Sequence, residues 1–227
     1  RLIILDDITK GNYISDVLIS CQKKYFKVKK NKLCDFYNDY SYFPLTSNFD
    51  KYIKMEKKIN KEIKSIVIFI GGSNYIKVYL GLAKFLSKIN YEVTFLIGNE
   101  NSIKISKAIK KISKKFKIKI DSNNIPKHIF EADLVIAGGG YTKIEVAYLK
   151  TPFVCICMHR HQEQLVKDFF KTFNINYNLK IKLNERSLVN AINQLKFKKR
   201  LNISKAFSKK FKINGVKKIL KIINEKK

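Results

Sequence analysis

The sequence predicts an α/β fold built on a mostly parallel sheet, and three observations favour this class. Short apolar runs alternate with longer amphipathic stretches along the chain. From residue 65 onward a predicted helix separates each predicted strand from the next, which requires crossover connections and parallel neighbours. Two strands also run directly into glycine-rich turns, as strands do at ligand sites of such sheets. Predicted strands cover residues 2–5, 16–20, 65–70, 92–97, 116–120, 133–137, 153–158 and 179–182, and predicted helices cover 75–89, 102–114, 125–131, 142–149, 162–173, 186–195, 202–210 and 214–225.

The most informative turn is the run of three glycines after the apolar strand at residues 133–137. Glycine lets the backbone approach a ligand closely and adopt positive φ, and the helix that follows offers unpaired N–H groups to an anion. Three glycines exceed what a simple strand-to-helix connection needs. The sequence therefore predicts a phosphate or nucleotide site formed by Gly138, Gly139, Gly140, Tyr141, Thr142 and Glu145.

Glu145 has two interpretations at this stage. The spacing Thr142-x-x-Glu145 fits a capping box, in which the two side chains satisfy each other's helix-end donors. A carboxylate one turn into this helix can instead accept hydrogen bonds from a ribose diol. The sequence leaves both roles open.

A second glycine turn follows the predicted strand 65–70 and consists of Gly71, Gly72, Ser73 and Asn74. Because the carboxyl ends of parallel strands share one edge of a sheet, both glycine turns are expected to face one crevice. The alternative is a tight strand-to-helix connection, although a single glycine normally suffices for that geometry.

The chain is strongly basic, with 47 Lys and Arg against 18 Asp and Glu, a formal charge of +29. Arg occurs only at positions 1, 160, 186 and 200, whereas readers of base edges and phosphates favour Arg. We therefore predict no nucleic-acid partner. Weak peripheral association with an acidic membrane surface is compatible with the lysine content, and no apolar run approaches the length that spans a bilayer.

The four cysteines suggest neither a disulfide framework nor a metal site. Cys155-x-Cys157 precedes His159 and His161, which has the composition of a metal site, but its apolar context indicates a buried strand that uses Cys as a small hydrophobe. We predict no metal and no cofactor. Nothing marks secretion, so a reducing cytoplasm is the expected location.

The expected domain organisation follows from the ends of the chain and one polar stretch. Residues 2–5 have the apolar character of a buried strand with no cap or turn before them, so we expect residues 1–45 to be the end of a preceding α/β domain. The Lys- and Glu-rich residues 46–64 are expected to form a linker or connecting helix. Residues 65–200 would then form the ligand-binding domain, and residues 201–227 the C-terminal helices.

Several motifs in this order resemble the UDP-sugar hydrolases of pseudaminic acid biosynthesis and the related spore-coat polysaccharide proteins. That group shares the GT-B architecture and a domain similar to the C-terminal domain of glycosyltransferase family 28. The motifs are Leu5-Asp6-Asp7, Asp16-Val17-Leu18-Ile19, Tyr42-x-x-Leu45-x-x-x-Phe49, Ile70 to Asn74, Ile125 to Ile136, Gly139-Gly140-x-Thr142-x-x-Glu145, His161-Gln162 and Ile213-Asn214-Gly215.

The resemblance implies a Rossmann-type domain that binds a UDP-sugar and takes part in making surface polysaccharide or nonulosonic acid. It implies diphosphate at the Gly138 to Thr142 turn, ribose on Glu145, uracil beside Ile125, and the sugar facing Gly71 to Asn74 and His161-Gln162. The enzyme would be a hydrolase or a glycosyltransferase whose general base lies in an N-terminal region, with His161 as a weaker alternative. A second reading is a non-catalytic binding subunit that works with a separate N-terminal domain chain.

Overall fold

The computed structural model describes residues 1–5, 15–22, 34–71, 75–98, 101–175, 180–181 and 184–225, with only the backbone of 180–181. Its strands are β1 (Ile3–Leu5), β2 (Val17–Ser20), β3 (Asp35–Asn38), β4 (Ser65–Phe69), β5 (Glu92–Ile97), β6 (Lys117–Ile120), β7 (Leu134–Gly138), β8 (Phe153–Ile156) and β9 (Lys180–Ile181). Its helices are α1 (Asp50–Lys54), α2 (Ile76–Leu86), α3 (Ser102–Ile112), α4 (Ile125–Glu131), α5 (Thr142–Tyr148), α6 (Arg160–Thr172), α7 (Glu185–Gln194), α8 (Phe197–Lys210) and α9 (Gly215–Asn224).

The larger sheet has six strands in the order β6-β5-β4-β7-β8-β9, and every described pair is parallel. This confirms the predicted parallel α/β sheet. The strand order reverses between β4 and β7, and open parallel sheets of this kind bind ligands at the carboxyl ends of the strands on either side of such a reversal. The residues of β4, β7 and β8 are almost all buried because helices cover both faces of the sheet.

A smaller parallel sheet has the order β1-β2-β3, and the last helix packs against it. Val17 and Ile19 of β2 form one apolar cluster with Ile219 and Ile222 of α9. The Arg1 guanidinium donates to carbonyl oxygens at the end of α9, including that of Ile222 at 3.1 Å. The C-terminal helix therefore connects the two sheets, because it follows the helices of the large sheet and packs on the small one.

The start of α9 is held against residues 43–50. Asn214 Oδ1 accepts from the backbone N–H of Leu45 at 3.2 Å, and its Nδ2 donates to the Leu45 carbonyl at 2.9 Å and to Asp50 Oδ1 at 2.8 Å. A Cβ on Gly215 would lie 2.1 Å from the Phe43 carbonyl oxygen. The Asn-Gly pair that the sequence singled out thus marks a close contact between two backbones.

Several element boundaries differ from the sequence prediction. Strand β3 was not predicted, because Asp35-Phe36-Tyr37-Asn38 has neither an apolar run nor a clear alternation and is only partly buried. The expected linker contains the short helix α1. Helices α6 and α8 begin earlier than predicted, at Arg160 and Phe197, and β8 ends at Ile156. The domain boundaries near residues 45, 64 and 200 stay predictions.

Candidate functional site

The two predicted glycine turns lie side by side at the carboxyl ends of β4 and β7. Phe69 of β4 pairs with Ala137 of β7, so the chain leaves both strands at the same level of the sheet. Gly71 has φ of +88°, a conformation that favours glycine, and a Cβ there would be 3.4 Å from Thr142 Oγ1. The end of β4 therefore approaches the start of α5 closely. Gly72, Ser73 and Asn74 lie outside the described residues.

The three glycines at the end of β7 have different roles, and none of them adopts positive φ. A Cβ on Gly138 would lie 2.7 Å from the Ile70 carbonyl oxygen, and one on Gly139 would lie 3.1 Å from Cys157 Sγ. At Gly140 the nearest atom would be Gln162 Nε2, at 3.8 Å. The positive φ that glycine permits is therefore not used in this turn. Packing accounts for the first two glycines but not for the third, which borders open space.

That open space is a cavity of about 360 Å³ between the two strand ends. Such a volume falls in the range of small-molecule sites, roughly 300 to 1,000 Å³. The cavity brings together six residues of the sequence prediction and four that the prediction missed. The predicted ones are Gly71, Gly140, Tyr141, Thr142, Glu145 and Gln162, and the additional ones are Phe69, Ile70, Tyr75 and Met158.

Glu145 lies on the wall of this cavity, where the described residues offer it no polar partner. Helix α5 begins at Thr142 with Tyr141 as its N-cap, and no side chain caps it. The capping-box interpretation of Glu145 is therefore wrong, because Thr142 is already the first helical residue. Within the described part of the chain, the carboxylate forms no hydrogen bond or ion pair, and burial raises its pKa from 4.5 to about 7.

Gln162 links the end of β8 to the glycine turn. Its Oε1 accepts from the backbone N–H of Met158 at 2.8 Å, which fixes the side chain at the start of α6. A Cβ on Gly139 would lie 3.2 Å from Gln162 Oε1. Gln162 thus lines the cavity, and its contact with a ligand stays a prediction.

Two of the three histidines, His159 and His161, lie at the rim of the site. His161 is exposed and does not line the cavity. Its ring stacks on that of His159 with centroids 5.4 Å apart, and His159 Nε2 lies 2.8 Å from the hydroxyl of the lining residue Tyr75. The geometry therefore does not place His161 where a general base would contact a ligand in the cavity.

Two further predicted features lie away from the cavity. Ile125 is the first residue of α4, packs against the core and does not line the cavity. Cys155 is buried in β8, and burial raises the pKa of its thiol, which disfavours the thiolate that metals require. Among the described residues, no group of three or more His, Cys, Asp and Glu is placed to hold a metal, and none of their helices has the length and apolarity of a membrane span.

The sequence predicted Tyr141 at the site but not the aromatic residue that it contacts, Phe43. Tyr141 is 39% exposed, and its ring stacks on Phe43 with centroids 5.3 Å apart and planes inclined by 23°. Phe43 follows the small sheet, so this pair joins the rim of the cavity to the first part of the chain. Sequence spacing could not show this contact, since about a hundred residues separate the two rings.

Lys143 is the most unexpected residue near the site. It belongs to the first turn of α5 and is only 1% exposed. Its Nζ donates to the carbonyl oxygens of Gly139 at 3.1 Å and Gly140 at 2.7 Å. The sequence could have indicated this contact, because side chains early in a helix point back toward its N-terminus and Lys143 is four residues after Gly139.

Fold and cavity together define a Rossmann-like domain of the GT-B type. Residues 66–223 match the Glycosyltransferase family 28 C-terminal domain, and the chain belongs to this family. A relative in Methanocaldococcus jannaschii, the uncharacterized protein MJ1062, is 28% identical over 187 residues. That match covers 75% of this chain and 38% of MJ1062.

Solved structures share the fold at low sequence identity. MurG of Acinetobacter baumannii superimposes with a TM-score of 0.62 at 12% identity, covering 97% of this chain and 66% of MurG. UGT2 of Phytolacca americana, in complex with UDP-2-fluoroglucose and pterostilbene, gives 0.58 at 11%, covering 93% and 54%. CalG4, the calicheamicin glycosyltransferase, gives 0.55 at 12%, covering 92% and 52%. These similarities confirm the predicted GT-B-like α/β fold.

Proposed function

We propose that the cavity between β4 and β7 binds the UDP part of a UDP-sugar. The observation that carries this proposal is the carboxylate of Glu145 on the cavity wall, which has no hydrogen-bond or ion-pair partner among the residues that the structure describes. A buried carboxylate without a partner is costly, and a ribose diol would supply two hydroxyl donors to it. Membership of the glycosyltransferase family and the UDP-sugar bound to UGT2 support this choice of ligand.

The remaining lining residues are arranged to suit the rest of the ligand. We place the diphosphate against Gly140, Tyr141 and Thr142, since Gly140 leaves room beside the backbone and these residues begin α5. The sugar would extend toward Gly71 and Gln162, which also line the cavity.

Such a site would support cleavage of the bond between the anomeric carbon and the diphosphate. A nucleophile oxygen bonds to the anomeric carbon, the carbon–oxygen bond to the phosphate breaks, and its electron pair leaves with UDP. A general base takes the proton of the nucleophile. N–H groups that bind the diphosphate stabilise the charge that develops on the leaving group. We expect the base to come from outside this cavity, because His161 does not line it.

The family favours glycosyl transfer, in which the nucleophile is a hydroxyl group of an acceptor. The second candidate is hydrolysis, with water as nucleophile, and it is favoured by the order of motifs shared with the UDP-sugar hydrolases of pseudaminic acid biosynthesis. UDP release from UDP-acetamido sugars distinguishes the two reactions. Release without an acceptor supports hydrolysis, and release that requires an added acceptor supports transfer.

Calorimetry with UDP, uridine and pyrophosphate tests the binding proposal directly. Glu145→Gln should weaken both UDP and uridine by about 1 to 3 kcal/mol, because it removes charge-assisted hydrogen bonds to the ribose. Glu131→Gln is the matched control, since Glu131 lies at the exposed end of α4 beside Lys127. If UDP binds no more tightly than pyrophosphate to the unmodified chain, the ribose role of Glu145 is wrong.

A further inference from the structure

The contacts of Lys143 determine how the peptide groups of the glycine turn are oriented. Its ammonium group donates to the Gly139 and Gly140 carbonyl oxygens, which belong to two successive peptide planes. In a trans peptide the N–H points opposite to the C=O of the same plane. The N–H groups of Gly140 and Tyr141 belong to these two planes, so both point away from Lys143.

Those two N–H groups belong to residues that line the cavity. The N–H of Gly139, in contrast, donates to the Ile156 carbonyl and is part of the sheet edge. Without a donor behind them, the Gly139 and Gly140 carbonyls could rotate toward the cavity and present oxygen atoms to a ligand. An anionic ligand requires the opposite orientation, with N–H groups toward it.

Lys143 also contributes charge at a place where the described residues do not neutralise it. Within that part of the chain no carboxylate forms an ion pair with Lys143, and the nearby ionisable groups are the thiols of Cys21, Cys155 and Cys157. Its ammonium lies 5.9 Å from the centre of the Phe169 ring. The cation is thus held in a site of low polarity, where its attraction for an anion is weakly screened.

We propose that Lys143 is a positioning residue for the diphosphate of the ligand: by holding the Gly139 and Gly140 carbonyls, it directs the Gly140 and Tyr141 N–H groups into the cavity. This inference rests on the proposed function. It assigns phosphate recognition to the backbone of the turn under the control of a buried side chain, and ribose recognition to Glu145. The two parts of the ligand should therefore be separable by mutation.

The test compares UDP with uridine, which lacks phosphate, by calorimetry on the full chain. Lys143→Met should weaken UDP by about tenfold or more and leave uridine within about twofold. Lys150→Met is the matched control, because Lys150 is also buried, lies just after α5 and donates from Nζ to two backbone carbonyls at 2.6 Å. That variant should leave the affinities for both ligands within about twofold. Circular dichroism checks folding, and Lys143→Gln replaces Lys143→Met if the latter does not fold.

Each outcome decides one of the two proposals. If the unmodified chain binds UDP and uridine but Lys143→Met binds UDP equally well, the positioning role is overturned. Equal weakening of UDP and uridine also overturns it, since that is the result of general damage to the site. If the unmodified chain binds neither ligand, the proposed function itself fails.

Discussion

At both ends of α5 a buried lysine donates to two backbone carbonyls, but the surroundings differ. The turn before the helix, Gly138 to Tyr141, is called the entering turn, and the turn after it, which contains Lys150 and Thr151, is called the leaving turn. In the entering turn, Lys143 donates to the carbonyls of Gly139 and Gly140 beside an open cavity. In the leaving turn, Lys150 donates to the carbonyls of Ile53 and Met55. Both lysines are buried, at 1% and 7% exposure, and burial lowers the pKa of each.

In the leaving turn, the polar side chains of Lys150 and Thr151 both form hydrogen bonds to backbone carbonyls. Thr151 is fully buried, and its hydroxyl donates to the Ile129 carbonyl at 2.9 Å. Lys150 has φ of +59°, so this turn also carries backbone strain that its contacts must offset. The entering turn instead faces Glu145, which has no partner among the described residues. The two ends of α5 thus share a buried lysine that donates to two carbonyls, and they differ in the cavity that lies beside the entering turn.

The largest expected effect on stability concerns Gly138 in the entering turn. Gly138→Ala would place a methyl group 2.7 Å from the Ile70 carbonyl oxygen, which belongs to the chain leaving the neighbouring central strand. We expect a loss of about 2 to 3 kcal/mol in the free energy of unfolding, because the backbone there cannot move without breaking the sheet. Urea denaturation measures it, and a loss below about 0.5 kcal/mol would contradict the close approach.

The next effect concerns the leaving turn. Lys150→Met keeps the length of the side chain but leaves the carbonyls of Ile53 and Met55 without their donor. We expect the free energy of unfolding to fall by about 2 kcal/mol, with UDP affinity unchanged. A fall in UDP affinity would show that the leaving turn is coupled to the cavity, which would break the distinction between the two ends of α5.

The pH dependence of uridine binding tests whether the Glu145 carboxylate in the cavity binds the ribose. Because burial raises the pKa of Glu145 to about 7, part of the carboxyl is protonated at neutral pH in the free protein. The ribose hydroxyls need the ionised form as acceptor, so uridine affinity should rise by several-fold from about pH 6 to pH 8. Calorimetry at several pH values measures this, and the rise should be absent in Glu145→Gln.

The same group has a predictable effect on stability. Its pKa is 4.5 in the unfolded reference and about 7 in the folded protein, so the folded state holds more protons between these values. The stabilising contribution of the protonated form is complete below the unfolded pKa and is lost as the pH rises through about 7. Denaturation curves of the chain and of Glu145→Gln should converge at low pH and separate at high pH, with the variant more stable there.

The smallest expected effect on stability concerns Gly140. In Gly140→Ala the new methyl group would have no neighbour closer than 3.8 Å, so the free energy of unfolding should change by less than about 0.5 kcal/mol. UDP affinity should nevertheless fall by about tenfold, because the methyl group occupies space that the diphosphate needs. The variant separates ligand binding from stability, and unchanged UDP affinity would show that the ligand lies elsewhere.

Much of the large sheet was predictable because its strands are buried on both faces. Strands that are buried on both faces are apolar along their whole length, and β4, β5, β7 and β8 show such apolar runs. The helices between them require parallel pairing. Strand β3 was missed because Asp35 to Asn38 lies at the edge of a small sheet and is only partly buried. A strand that is only partly buried need not have the apolar run or the alternation of apolar and polar residues from which strands are predicted.

The candidate site shows the same division between local pattern and long-range contact. Sequence spacing placed both glycine turns at strand ends, and the parallel sheet brought Gly71 and Gly140 to one cavity. Spacing could not show whether Glu145 belongs to a capping box, because that depends on whether the helix begins at Thr142 or at Lys143. Nor could it predict the stacking of Phe43 on Tyr141.

The α/β class, the parallel sheet and the pair of glycine turns follow from local sequence, since they depend on hydrophobic period and on the backbone freedom of glycine. Three properties depend instead on the tertiary structure: Gly140 is free of packing, Glu145 has no partner among the described residues, and Lys143 points inward to the carbonyls of the glycine turn. These properties depend on which atoms the reversal between β4 and β7 brings within a few ångströms, and residues far apart in the chain supply those atoms.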